Sequence, residues 1–119
     1  MVSKVQIKRV YDPRARGDGQ RVLVDRVWPR GISKEKLGDA VWLKEIAPST
    51  ALRKWFDHRP ERWQQFCVRY AAELDRNTGA VDTLRALCAG GTVTLLYSAR
   101  DVDHNQARAL ADYLVAHRS

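Results

Sequence analysis

Two cysteines, one methionine, three histidines and four prolines among 119 residues close off several kinds of protein at once. Cys67 and Cys88 fall in segments of helical pattern with no CxxC spacing, so they are read as two reduced, buried thiols. No metal-binding framework is visible, and no cofactor is expected. No apolar run approaches the length of a membrane span. The N-terminus, MVSKVQIKRV, enters a charged, alternating segment at once and has no signal-peptide core. A cytoplasmic protein that does not engage membranes is therefore expected. Internal repeats, linkers and low-complexity segments are missing. Gly90-Gly91 precedes a strand and opens no helix, so it is not a phosphate loop.

Acidic residues are also in short supply: 14 Asp and Glu stand against 21 Lys and Arg, a net charge of +7. Arginine supplies 15 of those 21 cations. Its planar guanidinium favours bidentate recognition of phosphate and carboxylate, where lysine acts as a point charge. Such a balance suits an anionic metabolite or nucleic acid as partner. Many of these arginines still read as solvated helix faces; Arg62, Arg69 and Arg76 recur every seven residues on the polar side of one helix.

With 45% hydrophobic residues the chain can build one core and one domain, residues 1–119. Val5 to Tyr11 is rich in β-formers and reads as a strand stopped by Asp12-Pro13. Arg21 to Trp28 is the second strand, and its unalternating Val22-Leu23-Val24 centre implies cover on both faces. Ser33 caps a short helix through Leu37, stopped by Gly38. Residues 40–47 are read as a short strand, with a helical turn as the alternative. Ser49 caps a helix carrying Leu52, Trp55 and Phe56 on one face. Pro60 starts the next helix, in which Trp63, Phe66, Cys67, Tyr70, Ala71 and Leu74 recur at helical spacing, with Gly79 as its end. Val81, Leu84, Leu87 and Cys88 mark a further helix closed by Gly90-Gly91. TVTLLY, residues 92–97, is the clearest strand. Asp103 is expected to cap the final helix, with Gln106 completing a capping box.

Strands alternating with helices suggest a layered α/β domain with a mostly parallel sheet. In open sheets of that kind ligands collect outside the carboxyl ends of the strands. The first strand delivers Arg9, Tyr11 and Asp12 there. The second delivers Asp25, Arg26, Trp28 and Arg30, and the last delivers Tyr97, Ser98, Arg100 and Asp101, followed by His104 and Asn105. Arg26, Arg30 and Arg100 are suited to hold an anion, with Arg9, Ser98, Asn105 and free amides at the helix start beside them. Trp28 and Tyr97 are suited to an aromatic wall for a base or another planar group. Asp25 or Asp101 could orient the arginines or act as general base, with His104 as a further acid–base group. The alternative is a structural network in which Asp25 and Asp101 pair with the arginines. Ser98 and His104 are six residues apart, a spacing that is a poor nucleophile signal. Asp57-His58 is explained by a helix C-terminus. Residues 53–63, RKWFDHRPERW, interleave basic and aromatic side chains. That pattern suits single-stranded nucleic acid, but it equally describes packing aromatics between solvated charges.

The segments RVYD (9–12), RVLVDRVWPRGISKEKL (21–37), WLKEIAPS (42–49), LRKWFDHRPERWQQFCVRYAAEL (52–74) and TLLYSARDVDHNQA (94–107) resemble the YeaO-like branch of the bacterial family known as domain of unknown function 488. The resemblance spans nearly the whole chain, and WPRG and LLYSARD are its specific parts. It implies a small cytoplasmic domain of layered, Rossmann-like α/β type, with a mostly parallel sheet and helices on both faces, and it implies no established reaction. Other branches of the wider family resemble proteins with a Cys-His-Arg triplet shortly after the last strand. Here that place is held by Asp103-His104-Asn105-Gln106, which puts thiol chemistry in doubt. Two functional readings follow from the cluster and the charge: an enzyme or ligand-binding protein for an anionic small molecule, and a nucleic-acid binding module. A non-catalytic protein-interaction domain is the third.

Overall fold

The computed structural model describes residues 4–116; residues 1–3 and 117–119, the ends of the expected 1–119 domain, lie outside the described residues. Four strands, β1 (Val5–Arg9), β2 (Gln20–Leu23), β3 (Val41–Trp42) and β4 (Val93–Tyr97), form one sheet in the order β1-β4-β2-β3. Every pairing is parallel. Val5 pairs with Val93 and Arg9 with Tyr97, while Gln20 pairs with Val93 and Leu23 with Leu96. All carboxyl ends therefore open on one edge. β4 lies between two neighbours and is buried at all five residues, as its near-continuous apolar run requires.

Among the described residues five α-helices accompany the sheet: α1 (Lys34–Leu37), α2 (Thr50–Phe56), α3 (Trp63–Arg76), α4 (Thr78–Ala89) and α5 (Gln106–Ala116). Alternation along the strands sorts the core into two layers. Val22, Val93, Leu95 and Tyr97 join the larger cluster with Phe66, Tyr70, Leu74, Leu84 and Leu110 from α3, α4 and α5. Leu23 and Leu96 face the other way, onto Val10, Ile32 and Leu37, with Tyr11 and Trp28 packed alongside. Both faces are covered, but unequally: four helices build the first layer, and one-turn α1 with its flanking loops builds the second.

Several local expectations shift. β1 stops at Arg9 and β2 at Leu23, short of Tyr11 and Trp28, because β4 ends at Tyr97. The last ladder bonds are Val10 N to Tyr97 O (2.8 Å) and Val24 N to Leu96 O (3.1 Å). Residues 40–47 satisfy both readings, a two-residue strand followed by a 3-10 turn over Lys44–Ile46. The break after α3 falls at Asn77, not Gly79. Asn77 donates its backbone N–H to Leu74 O and its side-chain amide to Glu45 O, leaving Gly79 in the first turn of α4. The cap of α5 also moves, from Asp103 to Asn105. The Asn105 side-chain oxygen accepts the Arg108 N–H at 2.9 Å, and Gln106 turns away from any capping box to reach Asp25.

Candidate functional site

Between the carboxyl ends of β2 and β4 and the loops around α2 lies a cleft of about 580 Å³. That falls within the roughly 300–1,000 Å³ common for small-molecule sites. Its walls include Asp25, Arg26, Trp28 and Arg30 after β2, Ser98 after β4, and His104, Asn105 and Gln106 at the start of α5. Tyr11, Phe56 and Phe66 supply aromatic surface, and Arg53, Lys54, Asp57 and His58 come from α2 and the corner after it.

The wall after β2 is held rigidly. Ile32 N bonds Pro29 O at 3.4 Å, and Gly31 adopts φ +79°, the left-handed value required at the third position of a type II turn. Trp28 donates its indole N–H to Ile32 O at 2.6 Å and packs edge-on against Trp42 at 5.3 Å. Tyr11 donates its hydroxyl to Arg30 O at 2.9 Å, tying the β1 exit to the same turn. The proline, glycine and tryptophan thus lock the loop and leave the Arg30 side chain exposed at its tip.

The arginines have different employments. Arg26 donates to Ala47 O (2.9 Å) and Pro48 O (3.1 Å), clamping the loop that precedes α2. Arg9 donates to Ala99 O (3.0 Å) and Ser98 O (3.3 Å) and lies over the Tyr11 ring, outside the cleft lining. Arg100 is exposed and also outside the lining, and Tyr97 is buried in the core. Among the described residues the side chains of Arg30, Arg53 and Lys54 form no ion pair or hydrogen bond, although the Arg53 charge reaches Asp25. The structure therefore brings together Asp25, Arg26, Trp28, Arg30, Ser98, His104 and Asn105, and leaves Arg9, Tyr97, Arg100 and Asp101 out of the lining.

The structural network expected from Asp25 and Asp101 with the arginines does not form among the described residues. Asp101 instead gathers the turn after β4. One oxygen accepts the N–H groups of Asp103 (2.9 Å) and His104 (3.0 Å), and the other meets His104 Nδ1 at 3.0 Å. The Asp103 amide, the His104 ring and the His104 amide hold its pKa below the ordinary 3.8 against a smaller opposing effect of burial. The amides expected to await an anion here are already bonded to this carboxylate. Asn105 is 3% exposed, and its amide donates to Asp101 O at 2.9 Å. His104 lies edge-on to Trp63 at 5.3 Å.

Asp25 is the unusual member. It is 7% exposed, one oxygen accepts the Gln106 amide, and Oδ2 is buried without a hydrogen-bond partner among the described residues. Burial raises its pKa above 3.8; Ser98, Gln106 and the charge of Arg53 oppose the shift without cancelling it. Sequence reasoning missed Arg53, Lys54 and His58 as cleft residues. The available signal was the basic-aromatic stretch 53–63 together with two consecutive residues that tolerate positive φ, Asp57 (+50°) and His58 (+53°). That pair turns the chain at the cleft mouth. The stretch does not offer a stacking platform at Trp55, whose ring lies beneath the guanidinium groups of Arg69 (4.1 Å) and Arg62 (5.1 Å).

A family model described as "Inactive DUF488-N3 subclade" matches residues 4–118. The chain is 46% identical over 110 residues to the uncharacterised protein YeaO of Escherichia coli K12, covering 92% of this chain and 96% of that one. It is 42% identical over 112 residues to an uncharacterised protein of Mycobacterium tuberculosis H37Rv, covering 94% of each. No solved structure matches.

Proposed function

The chain belongs to the DUF488 family that its resemblance implied, in the branch described as the inactive DUF488-N3 subclade, and from that premise we propose that it is a non-catalytic binding protein for an anionic small molecule. The observation that carries this reading is the mouth of the cleft. Arg30, Arg53 and Lys54 stand there with no carboxylate partner among the described residues. Cations gathered at a concave, partly apolar site favour an anion, because low-dielectric walls strengthen the attraction that water would screen. Arg30 is presented by a turn that proline, glycine and tryptophan hold still, so little loop ordering opposes binding. Phosphate or carboxylate is the matching chemistry for guanidinium donors.

Two observations support binding without turnover. The family is described as inactive. Ser98, the one serine in the lining, forms no hydrogen bond with either lining histidine, His58 or His104, and the His104 Nδ1 is engaged by Asp101. Asp25 and Asp101 therefore take structural and binding roles in this reading.

The test is thermal unfolding across a panel of phosphate- and carboxylate-bearing metabolites, since a ligand of the native state raises the melting temperature. At least one phosphate-bearing compound is expected to stabilise the wild type. Arg30→Ala and Arg53→Ala should each weaken its affinity by roughly tenfold or more, as loss of a charge-assisted contact does. A panel without a single stabilising compound, or variants that respond like the wild type, would overturn the reading.

A further inference from the structure

Asp25 is a poor choice for stability alone. A carboxylate taken out of water is costly unless it is ion-paired or fully hydrogen-bonded. Among the described residues Asp25 accepts the Gln106 amide, has the Ser98 hydroxyl and amide close enough to lower its pKa, makes no ion pair, and keeps an Oδ2 that no hydrogen bond reaches. Buried polar groups without partners are rare and call for an explanation. This one lines the same cleft whose mouth carries Arg30, Arg53 and Lys54, and it sits beside two further polar groups of the lining, Ser98 and Gln106.

We infer that Asp25 is the specificity-determining acceptor of the cleft, and that its ligand is amphoteric: an anionic group held at the basic mouth and an N–H donor group delivered to the Asp25 carboxyl. The inference rests on the anion reading of the cleft and adds what the other end of the ligand must be. Charge arrangement supports it. A purely anionic compound would place its negative charge near a buried carboxylate, whereas a molecule with a donor head satisfies the orphaned oxygen. Oδ2 is closed off from solvent, so the donor meets it only when the carboxyl turns about χ2, a soft torsion, and the ligand's donor then also replaces the Gln106 contact that Oδ1 gives up. An amine such as an aminoalkyl phosphate provides this chemistry, and so does the lactam N–H of a nucleobase carrying a phosphate. Aromatic surface from Tyr11, Trp28 and Phe56 accommodates either.

Matched pairs test it by isothermal titration calorimetry. Phosphoethanolamine is compared with ethyl phosphate, and guanosine 5′-monophosphate with purine riboside 5′-monophosphate, which lacks the donors. In at least one pair the donor-bearing member should bind about tenfold tighter or better, the effect of a hydrogen bond to a charged group. The pair that shows it distinguishes amine from nucleobase. Asp25→Ala should abolish that preference, and Arg53→Ala should weaken both members alike. If Asp25→Ala fails to fold, Asp25→Asn, which keeps one neutral acceptor, should still reduce the preference. Equal binding within both pairs, or a preference that survives the Asp25 substitution, overturns the inference and leaves the anion reading intact. Failure of all four compounds to bind overturns this inference, while the anion reading stands or falls with the metabolite panel.

Discussion

At the scale of single residues, charge is sorted by what the backbone asks of it. Arg9 and Arg26, two of the arginines expected to hold a ligand, are occupied by carbonyl groups at loop ends. No local pattern distinguishes them from Arg30, because the carbonyls they serve lie some twenty to ninety residues away in the chain. The carboxylates show the same sorting, with a consequence for pH. Burial alone would raise the pKa of Asp18, but the Lys8 ammonium, the Ala15 amide and Arg21 bring it below 3.8. Asp18 and Asp101 therefore contribute stability that is present above 3.8 and is lost as pH falls through their lowered folded values. Asp25 runs the other way. Its folded pKa is raised, so its contribution becomes more favourable as pH falls through that folded value towards 3.8, and its ionised form weakens the fold at neutral pH. Asp25→Asn should accordingly raise the melting temperature at pH 8, and this gain should vanish below pH 3.8, where the carboxyl is protonated in both states. Melting curves at the two pH values decide it. A variant that melts lower than the wild type at pH 8 would show the carboxylate to be structurally required.

Elements were legible where their pattern is local. The mostly apolar β4, the stripe of α3 and the Ser33 and Ser49 caps are stretches in which periodicity and capping chemistry agree. Boundaries set by a distant partner were not, as at Asn77, whose amide reaches Glu45, and at Gln106, which reaches Asp25. Glycine shows the difference sharply. Gly19 has φ +62°, and a Cβ there would lie 2.2 Å from the Thr92 carbonyl oxygen, where the start of β2 crosses close to the start of β4. That carbonyl also accepts the Gln20 N–H at 2.9 Å, so it cannot retreat without breaking the first bond of the ladder. Gly79, by contrast, has helical neighbours, and a Cβ there would meet nothing within 4 Å. Gly19→Ala should cost about 3 kcal/mol or more through strain and collision. Gly79→Ala should stabilise by up to about 1 kcal/mol by restricting the unfolded chain. Urea midpoints at unchanged slope measure both. Equal midpoints for the two variants would remove the distinction between a close approach and an ordinary helical glycine.

The whole molecule joins what the chain separates. That three strand exits share one edge could be expected from a parallel sheet, and they do. The order β1-β4-β2-β3 and the entry of α2 as a cleft wall could not, because they depend on crossovers rather than on any segment's own pattern. The same geometry decides how a net charge of +7 is spent. Arg9, Arg21, Arg26 and Arg62 donate to backbone carbonyls, and Arg69 lies over Trp55. Arg30, Arg53 and Lys54 converge on a single mouth. Binding at such a mouth neutralises one phosphate group, whereas a surface that tracks nucleic acid neutralises many and releases their counterions. The affinity for a phosphate-bearing metabolite should therefore fall with salt at a log–log slope of roughly −1 to −2, by contrast with the much steeper slopes of proteins that contact many phosphates. Titrations at about 50 and 200 mM salt, with the metabolite and with a labelled single-stranded oligonucleotide, separate the cases. An oligonucleotide that binds far more tightly than the metabolite, with a slope of about −4 or steeper and no response to Arg53→Ala, would move the function from the cleft to the basic surface.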